Sequence, residues 1–380
     1  MMKAAINDRS KDLVFIGGGH SSAIALQLFG LNPLPQVRLI LISDTLKTPY
    51  SGMLPGHVAG FYSYKETHID LQRLADFAKA KLYLDRAIGL DLANNKVICE
   101  QNPPLAFDYL SIDIGSTPDT ISVTGATEYA IPVKPVPKFL SRWNEILKTA
   151  SERPDRPLTI SIVGGGAGGV ELAMNAKHRL DRITDNLKIH LFHRGERLLE
   201  SHNRWVSKRL QKILLDRGIN LHLQERVSEV FPDRIICESG LNVECNYIFW
   251  VTQASAPKWI KKSGLTTDSQ GFILVRDTLQ SLSHPHIFAA GDIATMKDYP
   301  RPKAGVFAVR QGQPLFENLH RILRGETLKP YIPQKQYLSL IGTGDKSAIA
   351  SWGKFGFHSP LLWLWKDYID RQFMNRFDRT

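Results

Sequence analysis

The run Leu158-Thr159-Ile160-Ser161-Ile162-Val163-Gly164-Gly165-Gly166-Ala167-Gly168-Gly169-Val170 decides the fold. Residues 158–163 are apolar enough for a buried strand, and Gly164, Gly166 and Gly169 complete a GxGxxG turn. Residues 170–180 read as the helix that follows. In such a turn the first glycine allows the tight bend and the second lets backbone approach a pyrophosphate. The third lets helix and strand pack closely, and the pyrophosphate charge sits on the helix N-terminus. The next strand, 188–192, runs into His193-Arg194-Gly195-Glu196-Arg197. An acid at that strand end would hold the 2′-hydroxyl of NAD, whereas His193, Arg194 and Arg197 suit a 2′-phosphate and hence NADPH. Two alternatives stand beside this: Arg194 and Arg197 as solvated loop cations, and Glu196 as an acid serving NADH.

The pattern occurs a second time nearer the N-terminus. Leu13-Val14-Phe15-Ile16 leads into Gly17-Gly18-Gly19-His20-Ser21-Ser22 and then Ala23-Ile24-Ala25-Leu26, again strand, glycine turn and helix. Gly17 and Gly19 match the first two glycines, with Gly18 and His20 beside them. Ser22 replaces the third and is small enough for helix–strand packing. A further strand, 37–42, ends at Ser43-Asp44, where a ribose-binding acid is expected, with either Ser43 or Asp44 facing the ribose. Two such turns argue for two dinucleotide domains, in tandem or one inside the other. Strands at 109–114, ending in Gly115-Ser116-Thr117-Pro118, and at 247–251, ending in Thr252-Gln253-Ala254, lie where a chain leaves such a domain. His286-Ile287-Phe288-Ala289-Ala290-Gly291-Asp292 gives a buried strand, a small-residue turn and an acid. Asp292 can accept a hydrogen bond from a ribityl hydroxyl, and Gly291 permits close approach.

Composition narrows the classes. The chain has 380 residues, 43% hydrophobic and 22% charged, which excludes a disordered or collagen-like chain. The net charge of +11 favours anionic partners such as nucleotide phosphates or an acidic membrane face. The basic residues are scattered, so nucleic acid is not expected. The three cysteines, Cys99, Cys237 and Cys245, form no CxxC pair, so no disulfide framework, redox dithiol or metal site is expected. No apolar run reaches the ~20 residues of a membrane-spanning helix. Residues 1–11 are polar and mixed in charge, unlike a secretory signal, so a cytosolic chain is expected.

Together the glycine turns at Gly17 and Gly164, the Asp113-Ile114-Gly115-Ser116 strand end and Phe288-Ala289-Ala290-Gly291-Asp292 resemble the pyridine nucleotide-disulfide oxidoreductase superfamily of FAD flavoproteins. Within it the chain resembles type II NAD(P)H:quinone oxidoreductases. Through residues 48–56 and 363–371 it is similar to the flavoprotein module found ahead of selenide, water dikinase. The resemblance spans nearly the whole chain and implies an α/β fold of two Rossmann-like domains plus a C-terminal α/β tail. Residues 1–120 and 256–330 would form the FAD domain, 121–255 an inserted NAD(P)H domain, and 331–380 the tail. Gly17, Gly19 and Ser22 would hold the FAD pyrophosphate and Asp292 the ribityl chain; Gly164, Gly166 and Gly169 would hold the nicotinamide dinucleotide. Glu171 matches a glutamate near the flavin–nicotinamide junction; its alternative is a plain helix-start carboxylate. Three departures follow. Residues 44–55 contain no cysteine, so dithiol chemistry loses its nucleophile. Ser22 replaces a glycine, and Gln253 stands where the superfamily has glycine.

Reduced flavin carries negative charge that a helix N-terminus would stabilise. Residues 301–311 read as that helix, with Pro302 in its first turn. Ala304 and Gly305 would let the flavin approach, and Lys303 would add charge or serve as a surface lysine. Tyr50 and Met53 would cover the other side of the ring, or act as core. Ser359-Pro360 starts a second helix, with Leu361, Leu362, Leu364, Trp365, Tyr368, Ile369 and Phe373 on one arc. Lys366, Asp367, Asp370, Arg371 and Trp363 fall on the other face. Such a helix suits an acidic bilayer interface, where a quinone is collected. Its alternative is packing on its own domain or on a second copy in a homodimer. The expectation is therefore an NAD(P)H:quinone oxidoreductase, peripheral on the inner face of a membrane. Its rivals are a soluble reductase serving a protein or a selenium or sulfur metabolite, and a flavin-loaded redox sensor.

Overall fold

In a computed structural model, residues 10–118, 122–252 and 254–378 are described. Strand β1 (Lys11–Ile16) is buried along almost its whole length, as expected of a central parallel strand covered on both faces. It feeds through Gly17–Gly19 into helix α1 (His20–Leu31), followed by β2 (Val37–Ser43), β3 (Lys81–Leu84) and β4 (Tyr109–Ile112). The chain then builds a second sheet from β5 (Ile131–Pro132), β6 (Leu158–Val163), β7 (Leu187–His193), β8 (Asn220–Leu223) and β9 (Tyr247–Trp250). Helix α2 (Ala167–Leu180) joins β6 to β7. It returns to the first sheet with β10 (Ile287–Ala289).

Both sheets are five-stranded and parallel, in the orders β10-β4-β1-β2-β3 and β5-β9-β6-β7-β8. Strand order reverses beside β1 in one and beside β6 in the other. Each glycine turn therefore opens at a topological switch point, where open α/β sheets bind ligands. The expected α/β fold is present: two Rossmann-like sheets, with the strands of one lying in sequence between those of the other. Phe15, Phe29 and Phe288 anchor the first core; Phe139, Trp143 and Phe249 anchor the second.

Helix α3 (Gly305–Leu323) packs along α1, where a Cβ at Gly312 would lie only 2.6 Å from the Ile24 Cβ. It begins later than the sequence predicts. The Arg301 guanidinium donates to the carbonyls of Pro333 and Gln334, and Lys303 donates to the Ala294 carbonyl and to Thr295 Oγ1. These anchors hold Pro302 and Lys303 outside the helix, leaving Ala304 as its N-cap.

The tail is an antiparallel sheet of β11 (Ser339–Gly342), β12 (Ala348–Trp352) and β13 (Phe355–Ser359), then helix α4 (Pro360–Asp378). The expected start at Ser359-Pro360 is correct, and Ser359 Oγ accepts the Leu361 N–H. The faces of α4 need a correction. Lys366 and Asp370 turn inward, and Trp363 packs edge-on against Phe61 with ring centres 5.8 Å apart. Leu361, Leu364, Trp365 and Tyr368 are exposed, and only Phe373 of the apolar arc is buried. The reason is pairing: Lys366 meets Asp370 inside, so the polar side can be buried without an unmatched charge. Among the described residues no helix is long and apolar enough to cross a membrane.

Candidate active site

The first glycine turn is shaped by Asp113 at the end of β4. Gly17 has φ +89°, and a Cβ there would lie 2.3 Å from the Asp113 carbonyl oxygen, so only glycine fits. Gly19 is the N-cap of α1 and offers no side-chain cap. Asp113 supplies it from across the sheet: its Oδ2 accepts the N–H groups of Ser21 (2.9 Å) and Ser22 (3.0 Å). Ser22 is fully buried at the third-glycine position, and its hydroxyl has no partner among the described residues. Burial pushes the Asp113 carboxyl up to about 7. The amides of Ser21 and Ser22 pull against that shift, and the Asp292 charge adds to it. Gly18 packs against Leu71. The Ser43 hydroxyl is spent on the Thr45 carbonyl, whereas Asp44 stays exposed with Arg86 at 3.7 Å.

The second turn repeats the geometry without the acid. Gly164 has φ +131°, and its Cβ would lie 2.4 Å from the Val251 carbonyl oxygen. A Cβ on Gly169 would sit 1.8 Å from the Gly164 oxygen, the close helix–strand approach expected of a third glycine. Gly166, the N-cap of α2, faces open space and the helix start has no side-chain cap. The His193 ring lies against Gly165, with Nε2 3.7 Å from Glu200 Oε1. Arg194 is exposed. Arg197 is committed elsewhere, donating to the carbonyls of Glu200 and His202.

Beside the second turn lies a cleft of about 300 Å³. Gly168, Glu171 and Thr252 line one wall; Ser116, Asp292 and Lys303 line the other. Asp292 Oδ2 accepts from Lys134 Nζ (2.8 Å) and Ser116 Oγ (3.2 Å). Burial alone would push Asp292 up, but the charge and hydrogen bond of Lys134, with the Ser116 hydroxyl and the Lys303 charge, hold the carboxyl below its usual range. Gly291 takes φ +71° and donates its N–H to Gln311 Oε1 at 2.7 Å. Gly115, φ +68°, leaves open space where its side chain would be. Burial lowers Lys303 to about 8, and Nζ lies 4.1 Å from the Phe272 ring centre. Its ammonium is anchored to Ala294 and Thr295, although the residue lines the cleft. Gln253 lies outside the described residues.

Glu171 Oε1 accepts the Gly342 N–H at 2.7 Å, tying the cleft to the tail. Desolvation raises its carboxyl to about 7, against the pull of Lys366 and the Gly342 amide. Lys366 Nζ donates to the Gly52 carbonyl and to Asp370 Oδ2, both at 2.6 Å. Asp370 Oδ1 in turn accepts the Tyr50 hydroxyl at 3.1 Å. The Tyr50 ring stacks on Phe373 and meets His20 edge-on. His20 is half-buried and held neutral, its ring lowered to about 4 by desolvation. Sequence reasoning missed Asp113, Lys134, Lys366 and Asp370 as members of this site. For Asp113 the sequence carries one signal, an acid at a strand end; only the fold sets that strand end beside the first glycine turn.

A model of the pyridine nucleotide-disulphide oxidoreductase family matches residues 11–312. The chain belongs to this family. Its members use FAD and NAD(P)H, so the protein is an oxidoreductase with those cofactors. Among relatives, the NADH dehydrogenase-like protein YutJ of Bacillus subtilis is 23% identical, over 94% of this chain and 99% of that protein. The type II NADH:quinone oxidoreductase of Haemophilus influenzae is 26% identical over 50% of each. The solved sulfide:quinone oxidoreductase of Aquifex aeolicus is similar in fold, with a TM-score of 0.80 at 17% identity, covering 97% of this chain and 91% of that one. The residues present fit such a pair of cofactors. Gly166 faces open space at the uncapped N-terminus of α2, and the buried Ser22 hydroxyl beside the first turn has no partner among the described residues.

Proposed function

We propose that the protein passes two electrons from NAD(P)H by way of FAD to a quinone at a membrane surface. Flavin, when bound, supplies hydride acceptance and two-electron reoxidation. The observation that carries the reading is the cleft, walled by α2 of one nucleotide sheet and by Ser116, Asp292 and Lys303 of the other. In this reading Gly17, Gly19 and the start of α1 hold the FAD pyrophosphate and Asp292, fixed by Lys134, holds the ribityl chain. Gly164, Gly166 and Gly169 hold the nicotinamide dinucleotide. A quinone needs protons as well as electrons. Glu171 Oε1 is fixed by Gly342, and a carboxyl near 7 can hand over a proton from its free oxygen at neutral pH.

The membrane part of the reading rests on an apolar face. Leu361, Leu364, Trp365 and Tyr368 of α4 are exposed, and so are Trp352, Phe355 and Phe357 of the adjoining β12 and β13. Isolated exposed apolar residues are ordinary, but large ones recurring through residues 352–369 suit an interaction surface. The test is anaerobic stopped-flow reduction by NADH and by NADPH, followed by mixing with a short-chain quinone. Fast flavin bleaching and fast reoxidation by the quinone are expected. Bleaching without reoxidation would remove the quinone and leave another acceptor.

A further inference from the structure

The two glycine turns have the same backbone bonding. Asp113 N–H donates to the Ile16 carbonyl and Val251 N–H to the Val163 carbonyl, both at 2.9 Å. Each of these residues then lays its own carbonyl over the first glycine of its turn, Gly17 or Gly164. Equivalent positions thus carry a carboxylic acid in one half and a valine in the other. The consequence is visible at the two helices. Beneath Val251 the start of α2 is uncapped and Gly166 faces open space. Beneath Asp113 the carboxyl occupies the start of α1: Oδ2 takes the Ser21 and Ser22 N–H groups, and a Cβ on Gly19 would fall 2.3 Å from Oδ1.

A helix start attracts one anion, and here a pyrophosphate and a carboxylate are offered the same one. No cation among the described residues pairs with Asp113. The charged and titratable groups around it are Asp292, whose negative charge is already bound to Lys134, and His20 on α1, which is held neutral. From α3, the Ala308 carbonyl takes the Ser21 hydroxyl and Gln311 takes the Gly291 amide, so neither brings positive charge. Two adjacent anions in a buried site cannot both stay charged without cost; a proton on the acid removes the conflict.

We propose that Asp113 is a proton-binding part of the FAD site: as a neutral acid it shares the start of α1 with the pyrophosphate, so one proton is taken up with each FAD. This rests on the reading that the first turn takes FAD. Oδ2 keeps the Ser21 and Ser22 amides, and Oδ1, on the Gly19 and Gly291 side, carries the proton. Burial already lifts the carboxyl to about 7, and a pyrophosphate alongside lifts it further. Binding of FAD and of the proton then favour each other.

The experiment is release of FAD from diluted holoprotein, read by the rise in free-flavin fluorescence across about pH 6 to 9. The FAD dissociation constant of the natural protein is expected to rise about tenfold per pH unit above about 7. Asp113→Asn keeps an acceptor for the two amides but has no proton to lose. It is expected to show a flat profile and to hold FAD more tightly than the natural protein at the alkaline end. A second readout needs no variant: in weak buffer with an indicator dye, about one proton should leave with each FAD released near pH 8. Equal slopes in the two proteins, or no proton released with FAD, would overturn the proposal. Gly17→Val separates the underlying reading, because its side chain would strike the Asp113 carbonyl. Loss of FAD from a folded Gly17→Val protein supports FAD at the first turn, and retention would sink that reading.

Discussion

Lys366 and Asp370 lie one turn apart on α4, with Nζ 2.6 Å from Oδ2, and both point into the protein rather than into solvent. Their side chains are 14% and 7% exposed, so the pair is buried and its partners matter. Asp370→Ala strands the ammonium beside Glu171 and leaves the Tyr50 hydroxyl without its acceptor. The expected cost is about 3 kcal/mol, read from the urea midpoint. The double variant Lys366→Met, Asp370→Leu removes both charges together and is expected to recover most of that loss.

Glu171→Gln tests the acid in the cleft. Flavin reduction by NAD(P)H should survive, while reoxidation by a quinone slows about 100-fold. Because the Glu171 carboxyl is raised to about 7, its proton is present below that value and lost above it. The quinone step of the natural protein should therefore weaken as pH rises through about 7, and the Gln variant should be nearly flat. Lys366→Met removes a cation that favours ionised Glu171, so the same profile should move to higher pH. An unmoved profile would detach Lys366 from this chemistry.

Asp113 also leaves a mark on stability. Its folded carboxyl holds a proton up to about 7, whereas the unfolded chain releases it near 4. Between those values the folded state binds more protons, so its contribution falls as pH rises. Comparing urea unfolding of the natural protein and Asp113→Asn, both freed of FAD, across about pH 4 to 7 isolates the effect. The natural protein should lose up to about 1.4 kcal/mol per pH unit relative to the variant.

The apolar face of α4 can be charged without touching the core. Leu361→Glu with Trp365→Glu alters two exposed positions, so the unfolding midpoint should barely move. Cosedimentation with phosphatidylglycerol-containing vesicles should fall several-fold, and flavin reduction by NADH should stay the same. Undiminished vesicle binding would take the membrane away from this face.

Arg194 and Arg197 should part company. Arg197 is held by the Glu200 and His202 carbonyls, whereas Arg194 is exposed at the end of β7. Arg194→Ala is expected to lower the NADPH/NADH ratio of kcat/KM about tenfold, the loss of one charged phosphate contact. Arg197→Ala should leave that ratio nearly alone and loosen the 197–202 loop, which proteolysis would report. A ratio insensitive to Arg194→Ala would remove the basis for NADPH preference.

The sequence alone was sufficient for the α/β class, the two glycine turns, the helix that begins at Ser359-Pro360 and the family. These depend on local rules: a glycine is demanded wherever a positive φ meets a neighbouring carbonyl, as at Gly17 and Gly164, and apolar runs mark strands buried on both faces. Contacts made across the sheets were not legible. Asp113 reaches α1 only because strand order reverses beside β1, and Lys134 finds Asp292 only across the cleft. The start of α3 differs from the sequence expectation because the carbonyls that anchor Arg301 belong to Pro333 and Gln334, more than thirty residues on, while Lys303 is tied back to Ala294 and Thr295. On α4 the periodicity located both faces but could not say which one docks. Tertiary structure decided that, because a paired Lys366 and Asp370 can be buried at low cost, and their burial turns Leu361, Leu364, Trp365 and Tyr368 outward.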